Sequence, residues 1–241
     1  INNISFDGSG KPQFGRGYDA QTDEFISYYR KPDGSDWKVI NRLHRENFET
    51  WYPVALDPLS TTDLLVVAHN GNNTAGLWSF NPDTKEYGEL IYRRSGGDVS
   101  TRFHSNRYTS PDVVTAVRYA DGRDYRYEWF DGEEKAIYEQ LEGFVAHADR
   151  LSISSRSRDG LSMVVYNVGP RDPGTYYLLK NGRLQVIGSK MPWFHSDKIA
   201  DVEAVSYKSR DGKDIEGFIT IPNGEPPYPL VVMPHGGPFF G

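Results

Sequence analysis

Apolar and polar residues alternate in short runs along most of the chain, and each run stops at a small cluster of Asp, Asn, Gly or Pro. A period of two over four to eight residues, bounded by turn formers, predicts half-buried β-strands joined by tight turns. The first group of runs covers Phe14 to Tyr18, Glu24 to Tyr29 and Trp37 to Leu43, with Pro32-Asp33-Gly34 as a turn. The second has Tyr52 to Leu56, Leu64 to His69, Leu77 to Phe80 and Leu90 to Tyr92, with turns at Asn70-Gly71 and Asn81-Pro82-Asp83. The third covers Val113 to Tyr119, Arg126 to Trp129 and Ala136 to Leu141, all expected as strands, with Asp121-Gly122 and Asp131-Gly132 between them. The fourth has Leu151 to Ser154, Ser162 to Asn167, Thr175 to Leu179 and Leu184 to Ile187, with turns at Asp159-Gly160 and Asn181-Gly182.

Trp37, Trp78, Trp129 and Tyr177 fall at similar places in successive groups, a loose repeat of roughly 40 to 50 residues with about four strands per unit, as in propeller blades. A single blade cannot bury both its faces, so blades must stack. A two-sheet sandwich also shows short strands and frequent turns, and the pattern alone leaves both architectures open.

Beyond these groups the pattern changes. Val202 to Tyr207 and Ile215 to Ile221 alternate on either side of Ser209-Arg210-Asp211-Gly212-Lys213, which predicts a hairpin closed by Pro222. A Pro/Gly-rich loop, Pro222 to Pro229, leads into the apolar run Leu230 to Met233, expected as a buried strand, and then into His235-Gly236-Gly237-Pro238. Two glycines after a strand let another group approach the main-chain N–H groups.

The stretch VSYKSRDGKDIEGFITIP followed by PLVVMPHGGP resembles the opening of the catalytic domain of the prolyl oligopeptidase family of serine peptidases, with the greatest likeness to its acylaminoacyl-peptidase and dipeptidyl-aminopeptidase-like members. The resemblance implies an all-β partial β-propeller of about four blades over residues 1–195, followed over 196–241 by the first strands of an α/β-hydrolase domain. It also selects the propeller over the sandwich. In that family the turn after the third hydrolase strand supplies an oxyanion-hole donor; the resemblance assigns this to the Gly237 N–H, with His235 and Gly236 shaping the turn. The triad serine, aspartate and histidine follow that turn in family order, and no G-x-S-x-G occurs in this sequence. The expected function is therefore that of a fragment, truncated at both ends, of an enzyme that hydrolyses short peptides through an acyl-enzyme. Its implied partners are a short peptide substrate and the remainder of the catalytic domain; a homo-oligomer stays open, since the sequence does not fix the oligomeric state. A self-sufficient propeller used as a binding scaffold, or an esterase parent, are the alternatives.

Composition narrows the remaining classes. The 241 residues, 14% aromatic with a mean hydropathy of −0.62, suit many half-exposed strands better than a helical bundle. A net charge of −6 with no Lys/Arg run offers no footprint for nucleic acid or an acidic membrane. No apolar run approaches the roughly 18 residues of a membrane span. With no cysteine, disulfides, thiolate metal sites and a cysteine nucleophile are excluded. The first residue is Ile1, so the natural start and any signal peptide are expected upstream, and the compartment stays open.

Other motifs read as structure. Gly15 to Ala20 fits G-x-G-x-x-A but runs into a predicted strand where a dinucleotide site needs a helix. Gly71 to Gly76 has phosphate-loop spacing, yet Leu77-Trp78 follow where Lys and Ser/Thr are required. The six histidines make no two-His metal spacing, so neither metal nor cofactor is expected. His104, with Arg102 and Arg107 nearby, is expected in a loop. Glu133-Glu134 resembles the paired acids with which dipeptidyl-peptidase propellers hold a substrate's amino terminus, but its place after Asp131-Gly132 predicts a solvated hairpin turn. Asn3 and Asn72 head N-x-S/T sequons.

Overall fold

The computed structural model describes residues 1–234. The described residues divide into two compact units: Ile1–Asp121 with Tyr125–Tyr138 and Ser155–Leu161, and Gly122–Asp124 with Glu139–Ser154 and the residues from Ser162 onward.

The first unit opens with β1 (Asn3–Phe6), β2 (Pro12–Asp19), β3 (Glu24–Tyr29) and β4 (Lys38–His44), hydrogen-bonded in that order as one antiparallel sheet. A second sheet repeats the meander with β5 (Trp51–Leu56), β6 (Leu64–Ala68), β7 (Gly76–Phe80) and β8 (Tyr87–Tyr92). Strand β6 explains how the sheets are held. All five of its residues are buried, and because successive side chains leave a strand on opposite faces, they divide between two cores. Leu64, Val66 and Ala68 join Phe14, Tyr29 and Ile40 of the first sheet, with Trp51 and Phe80. Leu65 and Val67 face Ala55, Ala75, Leu77, Val99 and Val117 on the other side. Aromatic rings tighten the first core: Phe14 stacks on Tyr29 at 5.6 Å, and Trp51 meets Phe80 edge-on at 5.3 Å. Strand β8 shows the converse, an edge strand whose middle residues are exposed.

The third sheet contains β9 (Ser100–Phe103), β10 (Val114–Asp121) and β11 (Asp124–Trp129) in the order β11-β10-β9. Where a fourth strand was expected over Ala136 to Leu141, the chain forms helix α1 (Gly132–Phe144). Two signals explain the difference. The Asp131 carboxylate accepts the Glu133 and Glu134 N–H groups at 2.9 and 3.0 Å, an N-cap. The buried residues Glu134, Tyr138, Leu141 and Val145 recur at helical spacing. The pair Glu133-Glu134 thus occupies the first turn of a helix, not a solvated hairpin turn, and Glu134 is fully buried.

Another four-stranded meander follows, of β12 (Ser152–Arg156), β13 (Ser162–Gly169), β14 (Asp172–Lys180) and β15 (Arg183–Ser189); it belongs to the second unit except for the end of β12, Ser155 and Arg156, which belongs to the first. Its last hairpin turns on Asn181-Gly182, both at positive φ, between paired Lys180 and Arg183, as a two-residue primed turn requires. Trp78, Trp129 and Tyr177 all lie on the third strand of their sheets, whereas Trp37 precedes the fourth strand of its own. The hairpin of β16 (Val202–Lys208) and β17 (Asp214–Thr220) follows as a separate two-stranded sheet. Its turn is closed by Ser209 and Gly212, the glycine at φ +83°. Leu230 to Met233, expected as a buried strand, is not in a sheet and is 76–85% exposed. A strand needs a neighbour for its N–H and C=O groups, and none is supplied among the described residues. No α/β-hydrolase sheet is present among them either.

The two-sided burial of the second sheet makes a paired prediction. Leu64→Ala and Leu77→Ala, one in each core, should each cost about 2–5 kcal/mol in urea unfolding with an unchanged m-value. Leu90→Ala on edge strand β8 should stay within about 0.5 kcal/mol of the parent.

Candidate functional site

His235, Gly236 and Gly237, the oxyanion turn expected from sequence, lie outside the described residues. What the structure describes is the approach to that turn, the hairpin β16–β17 and the irregular segment after it, in which the Tyr228 hydroxyl donates to the Gly224 carbonyl at 2.6 Å.

The first unit holds a buried polar cluster around Glu134, a residue that the sequence pattern placed in solvent. Helix α1 directs Glu134 inward, where it meets the start of the β9–β10 loop and the end of β12. Glu134 Oε1 accepts from Ser105 Oγ at 2.8 Å and from Arg156 Nη1 at 3.0 Å, and Oε2 accepts from the Ser105 N–H at 3.1 Å. Arg156 Nη1 also donates to Ser105 Oγ at 2.8 Å, while its buried Nε has no hydrogen-bond partner among the described residues. His104 Nδ1 accepts the Asn106 N–H at 3.0 Å, leaving Nε2 3.6 Å from Glu134 Oε1.

Serine, histidine and glutamate are the residue types of a hydrolytic triad, but these are connected differently. A triad needs the histidine to take the serine proton. Here the single Ser105 hydroxyl proton goes to the carboxylate, His104 Nδ1 is occupied by a backbone N–H, and His104 makes no hydrogen bond to the Ser105 hydroxyl among the described residues. The arrangement can hold a helix, a loop and a strand end together; it cannot activate a nucleophile. The signal that could have found it is the spacing of Glu134 with Tyr138 and Leu141 on the helix's inner face.

The neighbouring charges are also engaged. The Arg102 guanidinium lies over the rings of Tyr127 and Tyr138 at 4.7 and 4.3 Å and donates to the Tyr127 hydroxyl at 2.9 Å. Arg107 pairs with Asp112 at 2.8 Å. Gly15 to Asp19 lies within β2 with no helix after it, and Gly71 to Ala75 forms the β6–β7 connection, so both glycine motifs are structural.

Removing one partner of a buried ion pair strands the other. Glu134→Ala is therefore expected to cost about 3–5 kcal/mol, whereas the paired E134L/R156L change, which removes both charges, should cost clearly less than Glu134→Ala alone. A double-mutant cycle measures the difference; independent, additive losses would show that the pair is not coupled.

No protein-family model matches the chain, and no curated protein does. Solved structures match it in fold. A structure of prolyl endopeptidase, from a study of inter-domain dynamics in catalysis and specificity, aligns with a TM-score of 0.50 at 13% identity, over 84% of this chain and 28% of that one. Prolyl oligopeptidase B from Galerina marginata, in two mutant forms bound to a 35mer hydrolysis and macrocyclization substrate, aligns with TM-scores of 0.53 and 0.50 at 12% identity. Those two alignments cover 89% and 86% of this chain and 30% of each enzyme. The chain thus spans less than a third of the length of each of these three structures. At such identities the likeness concerns fold alone: antiparallel meander sheets of the β-propeller type found in prolyl oligopeptidases.

Proposed function

We propose that this chain is the propeller portion, with the opening strands of the catalytic domain over residues 196–241, of a serine peptidase of the prolyl oligopeptidase type. The observation that carries the reading is an order. Propeller-type sheets, matched in fold by prolyl oligopeptidases, are followed by the SRDG hairpin β16–β17 and then by PLVVMPHGGP. In this reading the sheets restrict access so that short peptides reach the catalytic centre, and the peptide carbonyl is attacked by a serine carried elsewhere in the enzyme to give an acyl-enzyme. The Gly237 N–H then faces the oxygen that becomes negative, and His235 and Gly236 set the turn that aims it.

The chemistry divides accordingly. One preorganised oxyanion donor is worth roughly 2.7–4 kcal/mol in the transition state, and only where a nucleophile stands beside it. The 241 residues contain no G-x-S-x-G, so on this reading they contribute the filter and one donor, while the triad comes from the rest of the catalytic domain.

Two measurements test the proposal. The purified 241-residue chain should neither hydrolyse aminoacyl or acyl-aminoacyl amides nor react with a serine-directed fluorophosphonate; stoichiometric labelling would refute it. In the longer polypeptide that carries the triad, Gly237→Pro removes the donor, and kcat should fall by about 10²–10³ with little change in peptide binding. The variant's fold is checked by its thermal transition. An unchanged kcat in a folded variant would leave the HGG turn a purely structural feature.

A further inference from the structure

The second unit holds a pocket of about 330 Å³ on the side of its four-stranded sheet where the loop before β12, the β13–β14 turn and the segment after β15 come together. Tyr177 and Thr175 of β14 contribute to its lining, as do the half-exposed Phe194 and the residues His147, Arg171, His195 and Asp197. The volume is at the lower end of that of small-molecule sites.

The charges around it are unevenly used. Asp172 lines the pocket but is consumed by the protein: its carboxylate accepts from Asn167 Nδ2 at 2.7 Å, Thr175 Oγ1 at 2.8 Å and the Gly174 N–H at 3.0 Å. Asp201, the nearby acid whose charge Arg171 reinforces, is also taken. The Val202 N–H and the Arg123 guanidinium, 2.8 Å away, hold its carboxyl below the usual range. Among the described residues, the side chains of Arg171, His147, His195 and Asp197 make no hydrogen bond or ion pair. Three nitrogen-bearing groups and one carboxylate thus remain unpaired around a single cavity.

The loop bearing His147 is fixed by the same network. His147 sits at φ +54°, the left-handed region that non-glycine residues enter at a cost of roughly 1–2 kcal/mol. Its carbonyl accepts from Asn167 Nδ2 at 3.1 Å, and Asn167 Oδ1 in turn accepts the Asp149 N–H at 3.0 Å. Asn167 is fully buried, so one buried amide both immobilises Asp172 and holds the His147 backbone.

We propose that this pocket binds a small zwitterion, an α-amino acid or a dipeptide, with Arg171 taking the carboxylate through its planar fork. Asp197 takes the ammonium, and Phe194 and Tyr177 provide an apolar wall for a side chain. The histidines supply further donors to the carboxylate. The proposal stands apart from the peptidase reading, because it concerns binding to this chain and requires no turnover.

Calorimetric titration of the 241-residue chain with phenylalanine, phenylalaninamide, N-acetylphenylalanine and inorganic phosphate tests it. Phenylalanine should bind saturably, and both blocked forms should bind at least tenfold more weakly. Arg171→Met should weaken phenylalanine at least tenfold while abolishing the further penalty of amidation. Asp197→Asn should do the same for acetylation. Arg171 and Asp197 are exposed, so both variants should retain the parent thermal transition. Absence of saturable phenylalanine binding at millimolar concentration, equal binding of the blocked forms, or phosphate binding as tightly as phenylalanine would each overturn the proposal.

Discussion

Strand β6 must be kept from water on both faces at once. Leu64, Val66 and Ala68 lie in one core and Leu65 and Val67 in another, so the second sheet cannot be stable as an isolated four-stranded meander. Each fully buried Val or Leu side chain is worth about 1.5–3 kcal/mol, and exposing either face would forfeit several of them together. Stacking of sheets is therefore a requirement of the sequence LLVVA, and the fall in burial toward the edge strand β8 shows where that requirement ends.

Helix α1 answers the same requirement by different means. The third sheet ends at β11, and the helix that follows contributes Tyr138, whose ring lies 5.2 Å from that of Trp129. Its inner face also carries a charge, Glu134. Desolvating a carboxylate is expensive, and it is offset here only because Arg156 and the Ser105 hydroxyl and N–H satisfy both oxygens. Since a buried pair of this kind seldom adds net stability over apolar packing, its value lies in specifying how the β9–β10 loop, the helix and the end of β12 meet.

The parts of this structure legible in the sequence are those governed by local chemistry. Strict alternation located most strands within one to three residues, and Asn181-Gly182 and Asp211-Gly212 marked true turns. Helix α1 was missed because Ala136, Ile137 and Tyr138 form a short apolar run that suits either period; the deciding residues, the Asp131 cap and the inward face through Val145, lie outside that run. The spacing of Glu134 with Tyr138 and Leu141 puts it on the helix's inner face, but its ion-pair partner was not legible, since Arg156 lies twenty-two positions away. The same limit hid the pocket on the second unit: its residues come from three separate segments, and only the fold shows that Asp172 is spent internally while Arg171 beside it is not. The expected strand Leu230 to Met233 failed for the reason that β6 succeeded, because an apolar run becomes a strand only when a neighbour pairs with it.

Native-state hydrogen exchange on the amides of Val66 and Val67 tests most directly whether two-sided burial of β6 underlies the fold. If it does, these amides exchange only through global unfolding, with a protection free energy equal to that from denaturant unfolding. Exchange of either amide through a local opening of clearly lower free energy, while the chain remains folded, would contradict the account.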